Sequence, residues 1–169
     1  TFSMRSKEDA QDYRYFPDPD LLPVVLTDSL INRCRGELPE LPIARSERFV
    51  QKLGLPAYDA DVLTVEKEVA DYFEVVAETC GNAKAASNWI MTELLRELNQ
   101  AQKTIAQSPI GAKDLGQMVA LVEKGTISGK IGKTVFAEMW STGKGPETII
   151  KEKNLVQVSD PAAVAKIID

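Results

Sequence analysis

The sequence predicts a mainly α protein with a short extended segment at its front, on three observations. Apolar residues recur at helical spacing from about Thr27 onward, glycines and capping residues punctuate those runs, and prolines crowd the first 26 residues. The chain has 169 residues, 44% hydrophobic and 27% charged, which is the make-up of an ordinary globular protein with one domain or two small ones.

At the front, Tyr13-Arg14-Tyr15-Phe16 is followed by Pro17, Pro19 and Pro23. Each proline removes a backbone donor and pushes the preceding residue to extended geometry. This predicts a loop-rich segment with at most a short strand at Val24–Leu26. Such a piece cannot bury itself alone and reads as the last edge of a domain lying upstream.

Helices follow. Thr27 is a suitable N-cap for Asp28–Arg35, and Gly36 is expected to stop that helix. A second runs from about Leu41 to Leu53 and ends at Gly54. Ala57–Leu63 is a shorter one after Pro56. Glu66–Cys80 places Val69, Phe73, Val76 and Cys80 on one stripe. Gly81 punctuates, and Asn82 can cap Ala83–Gln102, where Ala86, Ile90, Leu94 and Leu98 stack, flanked by Trp89 and Leu95. That apolar stripe predicts the core helix of a bundle. Leu115, Met118, Val119 and Val122 form the next face, ended by Gly125. Ile131, Val135 and Met139 form another, joined by Phe136 and Trp140 and ended by Gly143. Gly145-Pro146 opens a helix through Ile149, Ile150 and Lys153, and Asp160-Pro161 opens a last one over Ala162–Ile168.

The net charge is −5, and histidine is absent. That absence excludes Ser-His-Asp and Cys-His nucleophiles, HExxH zinc helices and any histidine general base. No run approaches the ~20 apolar residues of a membrane span. Thr1–Lys7 lacks the apolar stretch of a signal peptide. Cys34 and Cys80 are far apart, as expected of reduced thiols in a cytoplasm. The acidic excess lies wholly in residues 37–110, whereas Lys124, Lys130, Lys133 and Lys144 face only Glu138 between positions 124 and 144. Seven of the ten glycines also fall at position 111 or later, so a boundary is expected near Ser108-Pro109.

Two stretches could carry chemistry. Asp12, Asp18 and Asp20 could hold a hard cation such as Mg2+, and Arg14 could meet a phosphate or carboxylate. The plainer reading is an acidic loop with Arg14 in a local ion pair, and no metal site is assigned. In Thr126–Lys133, Ser128 looks like an N-cap, leaving backbone N–H groups at a helix start where anions are favoured. Lys130 and Lys133 add positive charge three residues apart, and Gly129 and Gly132 would permit close backbone approach. This is a candidate phosphate-backbone contact, set against a solvated helix start with ordinary surface lysines. No Walker loop, RRM-type aromatic pair or zinc knuckle stands out, so base-specific reading is not indicated. Cys34 sits beside Arg33 and Arg35, which can lower a thiol's pKa, although a buried or inert thiol is the plainer state.

Ser3-Met4-Arg5-Ser6-Lys7-Glu8-Asp9-Ala10-Gln11-Asp12-Tyr13-Arg14-Tyr15-Phe16-Pro17-Asp18-Pro19-Asp20-Leu21 closely resembles the GatB family, the B subunits of bacterial aspartyl/glutamyl-tRNA amidotransferases. The resemblance continues through Leu38-Pro39-Glu40-Leu41-Pro42, Ala70-Asp71-Tyr72-Phe73, Asn88-Trp89-Ile90-Met91 and Ile127-Ser128-Gly129-Lys130. It implies the end of an α+β catalytic cradle over residues 1–36, a helical bundle domain over 37–108 and part of a small helical YqeY-like tail over 109–169.

It further implies an enzyme, a ligase working in the cytoplasm with amidotransferase subunits A and C. The amidase partner releases ammonia from glutamine. GatB itself holds misacylated Asp-tRNA(Asn) or Glu-tRNA(Gln) and, with ATP and Mg2+, phosphorylates the acyl carboxylate for amidation. Matching the cradle motif, Arg5, Lys7, Asp12, Tyr13, Arg14 and Tyr15 are expected to line or support the kinase-like site. The family usually has His where Gln11 stands, so a role built on that imidazole does not transfer. Ser128, Gly129, Lys130, Lys133 and Lys144 are expected to meet the tRNA backbone of tRNA(Asn) or tRNA(Gln). No ATP or Mg2+ is expected on this stretch alone, which should be inactive by itself. A non-catalytic tRNA-binding module, or a partner-binding helical scaffold, is the alternative.

Overall fold

The computed structural model describes residues 25–155, which divide between two units, residues 1–39 and 40–169. In the first, helix α1 (Asp28–Glu37) starts where Thr27 Oγ1 accepts the Leu30 N–H at 3.3 Å. Gly36 does not stop it, contrary to expectation. The helix continues one residue and ends at Leu38, which takes extended geometry ahead of Pro39. No residue of α1 is buried. Val25 and Leu26 are irregular and exposed, not part of the expected strand, while Val24 lies outside the described residues.

The described part of the second unit is all helix and connectors. Pro42 opens α2 (Pro42–Leu53), whose donor-free first position suits a ring that fixes φ. Gly54 ends it in the left-handed region at φ +67°, and the chain returns through buried Leu55 to α3 (Ala57–Thr64). Next come α4 (Lys67–Cys80) and α5 (Ala83–Trp89), the latter capped by Asn82 accepting the Ala85 N–H at 3.1 Å. The expected long helix to Gln102 is not uniform. Its turn over Ile90–Leu94 is π-helical, and α6 (Leu95–Gln100) ends where Gln102 adopts φ +52° and the Lys103 N–H bonds Leu98 O at 2.9 Å. A single 3-10 turn, Ile105–Gln107, leads to α7 (Ala112–Glu123), α8 (Gly129–Thr142) and α9 (Pro146–Glu152).

The core forms from the stripes expected. Phe73 and Val76 of α4, Ala86, Ile90 and Leu94 of the following helix, Leu115, Met118 and Val119 of α7, and Val135 of α8 are all fully buried. Phe49 of α2 packs on Phe73 with ring centroids 4.9 Å apart. Trp89 and Leu95 only flank the core, and Cys80 is half-buried at the edge of its stripe. Helix α4 packs most extensively along α7. The break expected at Ser108-Pro109 therefore coincides with a connector, not with a gap in the core. Tyr72 of α4 ties that connector down by donating to Ile110 O at 3.0 Å, and burial pushes its hydroxyl pKa well above the ordinary value. The helix expected over Ala162–Ile168 lies outside the described residues.

Candidate nucleic-acid interface

Two local features aim the start of α8. Ile127 is buried at 1% exposure, which pins the residue just before the cap. Ser128 Oγ then accepts the Ile131 N–H at 3.3 Å, as expected of an N-cap. Ser128 consumes one orphan donor, and the N–H groups of Gly129 and Lys130 begin the first turn at the positive end of the helix dipole. A Cβ on Gly129 would meet nothing within 4 Å, so this end is sterically open.

The expected basic patch is narrower than the spacing suggested. Lys133 Nζ is 2.9 Å from Glu93 Oε1, on the π-helical turn, where the carboxylate side chain is only 7% exposed. Lys144 Nζ lies 2.8 and 2.9 Å from the two carboxylate oxygens of Glu152. Both ammonium groups are therefore neutralised by neighbouring carboxylates. Lys130 is exposed and has no ion-pair partner among the described residues. The helix end thus presents one uncommitted cation together with its backbone donors.

Gly132 has a packing role that its position in the sequence did not reveal. A Cβ there would lie 2.9 Å from Val122 Cγ2 and 3.1 Å from Trp89 Cη2, so glycine at this position lets α8 cross α5 and α7 closely. Gly132→Ala is expected to lower stability by about 1–2 kcal/mol through overpacking. Thermal unfolding would show it, and an unchanged midpoint would mean that the indole can yield.

Arg5, Lys7, Gln11, Asp12, Tyr13, Arg14 and Tyr15, with Asp18 and Asp20, lie outside the described residues. Among the described residues, no group of three or more Cys, Asp and Glu side chains is placed to hold a metal ion. Cys34 is exposed, not buried, on α1. No helix of the described residues is long and apolar enough to cross a membrane.

Sequence reasoning missed the polar groups that link helices. Arg45 of α2, with a side chain 9% exposed, reaches Asp71 and Glu74 of α4 at 2.7 Å each. Arg48 grips Glu40 at 2.6 and 2.8 Å and also pairs with Glu74. Ser46 donates to Asp61 at 2.7 Å, and buried Ser87 donates to Asp59 at 3.0 Å. The only advance signal was an arginine set on the apolar side of α2, where Phe49 follows one turn later.

Comparison with known proteins adds what the geometry does not carry. The sequence family described as "GatB domain" matches residues 71–169, and that described as "GatB/GatE catalytic domain" matches residues 1–32. Over 169 residues, all of this chain, the sequence is 63% identical to the B subunit of the aspartyl/glutamyl-tRNA(Asn/Gln) amidotransferase of Bdellovibrio bacteriovorus. It is 54% identical to that of Carboxydothermus hydrogenoformans and 52% identical to that of Geotalea daltonii, again along its full length. The chain spans about a third of the length of these curated relatives, 35% in each case.

Proposed function

This chain belongs to the GatB family, and from that membership we propose that it is the part of an amidotransferase's GatB protein that holds tRNA beside the catalytic domain. The observation that carries the proposal is the 63% identity along the whole chain to a relative named for aspartyl- and glutamyl-tRNA. The open, Ser128-capped start of α8 with exposed Lys130 supports a backbone contact, because such an end offers both aimed N–H donors and positive charge.

In the whole protein, the proposed reaction converts Asp-tRNA(Asn) or Glu-tRNA(Gln) to the amidated form, with subunits A and C as partners in the cytoplasm. A carboxylate oxygen is a poor leaving group, and ATP with Mg2+ would supply the phosphoryl group that makes it a good one before ammonia displaces phosphate. Residues 1–32, which match the catalytic family, would bring Arg5, Lys7, Asp12, Tyr13, Arg14 and Tyr15 to the wall of that site. The helices from α2 onward position the tRNA. The tail cations would then act as sequence-independent phosphate contacts, Lys130 foremost, with Lys133 and Lys144 available only when they leave Glu93 and Glu152.

The test is salt-dependent tRNA binding by the full-length GatB protein. Neutralising one phosphate contact should flatten the log–log salt dependence by about one. Lys130→Ala is expected to do so for every tRNA sequence tried. Adding Lys133→Ala should change the slope further by less, because its partner Glu93 already offsets its charge. Unchanged affinity and slope in the double variant would remove α8 from the interface. Transamidation by residues 1–169 without other subunits would contradict the assignment of the reaction to the whole assembly.

A further inference from the structure

The π-helical turn, α6 and α8 border a cleft of about 270 Å³ whose lining includes Glu93, Arg96, Glu97, Lys133, Phe136 and Trp140. Trp140 is partly exposed on α8, and the Lys103 ammonium lies 6.0 Å from its ring centroid. Phe136 below it is buried and packs toward Trp89, with centroids 6.4 Å apart, so the floor is backed by the core. Glu93, 5% exposed, is held at one oxygen by Lys133 and at the other by Arg96, at 2.9 Å each. Arg96 also meets Glu97 at 3.0 Å. Lys133 and Arg96 are thus paired with carboxylates, and Lys103 is the cation at this aromatic floor without an ion-pair partner among the described residues.

We propose that this cleft takes one unpaired nucleotide of the bound RNA, its base stacked on the Trp140 indole and its phosphate met by Lys103 and Arg96. The proposal rests on the tRNA-holding role above and deepens it by assigning a stacking site. An indole face accepts any base, because every base has a π-face, and a nearby cation adds to the attraction. Trp140 is partly exposed, and the exposed Lys103 ammonium near its ring can move to the phosphate that arrives with the base. Glu93 fixes Lys133 and Arg96 at the rim, and the π-helical turn, a feature common at functional sites, carries that buried carboxylate.

The experiment titrates the full-length GatB protein with an unacylated tRNA transcript and, separately, with inorganic polyphosphate. Trp140→Ala is expected to weaken tRNA binding about 5- to 150-fold, whereas Trp140→Phe, which keeps an aromatic face, should stay within about threefold of the parent. Polyphosphate affinity should be insensitive to both. Should Trp140→Ala lower the melting midpoint, Lys103→Ala serves instead. That residue is exposed, so its loss should flatten the salt slope by about one without touching the fold. Equal loss of tRNA and polyphosphate binding in Trp140→Ala would overturn stacking. So would tRNA binding unchanged in both Trp140→Ala and Lys103→Ala. A parent protein that fails to bind tRNA at low salt would overturn the tRNA-holding role itself, so the two failures are distinguishable.

Discussion

Gly116→Ala is expected to lower stability by about 3 kcal/mol, the upper end of what overpacking usually costs, and the midpoint of thermal unfolding by roughly 10 °C. At Gly116, α7 crosses α4 at the most extensive helix–helix contact of the unit. A Cβ there would stand 2.5 Å from Thr79 Cβ, 2.9 Å from Thr79 Cγ2 and 3.1 Å from Val76 O. Neither a β-carbon nor a backbone oxygen can swing aside as the tip of a long side chain does, so the helices themselves must part. Separation would loosen Leu115, Met118 and Val119 from Phe73 and Val76, all fully buried. A second change sharpens the test. Thr79→Ala removes Cγ2 but leaves the Cβ in place, so it should restore only part of the loss. Full recovery, or no loss to begin with, would show that the crossing is looser than these distances require.

Arg45→Met is expected to cost about 2 kcal/mol and to make the protein less sensitive to acid. Breaking a buried ion pair costs about 3–5 kcal/mol when the abandoned charge stays dry. Here Asp71 and Glu74 are 46% and 34% exposed, so water takes over much of their solvation and the smaller figure applies. Arg45 Nε has no hydrogen-bond partner, with Glu40 Oε2 4.0 Å away, so the site already leaves one donor unsatisfied. Methionine keeps an unbranched apolar stem while removing the guanidinium, whose Cζ lies 5.8 Å from the Phe49 ring centroid.

The direction with pH follows from the carboxyls. The hydrogen bond from Lys67, then that from Arg45, holds Asp71 below its ordinary range, and Arg48 does the same for Glu40. Folded-state values below the unfolded ones mean that this stabilisation is complete above about pH 4–4.5 and disappears as pH falls through the folded values. Chemical denaturation at pH 7 and at pH 3 should therefore show a fall in stability for the parent. The fall should be smaller for Arg45→Met, because part of what protonation of Asp71 removes is already gone. An equal acid loss in both proteins would mean that Arg45 contributes packing alone.

Element identity was legible where the cue was local. Thr27 and Asn82 cap as their side chains dictate, Gly54, Gly81, Gly125 and Gly143 all take positive φ at helix ends, and the Ala86–Leu98 stripe is core. Gly36 misled because its neighbours Leu38-Pro39, not its own freedom, set where α1 stops. At the candidate interface, Ser128 and the exposure of Lys130 were readable from order alone. The pairing of Lys133 with Glu93 was not, since it depends on a π-helical turn that leaves no mark in residue order and on where α8 lands.

By itself the sequence determined, among the described residues, which stretches are helical, where most of them begin and end and which faces are apolar, and that the chain belongs among the GatB proteins. All of these depend on residues near one another in the chain, or on their order. The tertiary structure alone decided that Gly116 and Gly132 serve close helix crossings, that Arg45 is sunk among carboxylates, and that Trp140 shares a cleft with Glu93 and Arg96. The physical reason is distance along the chain. Caps and stripes are set within a few residues by backbone geometry, whereas a Cβ clash or a neutralised ammonium exists only once remote helices have packed.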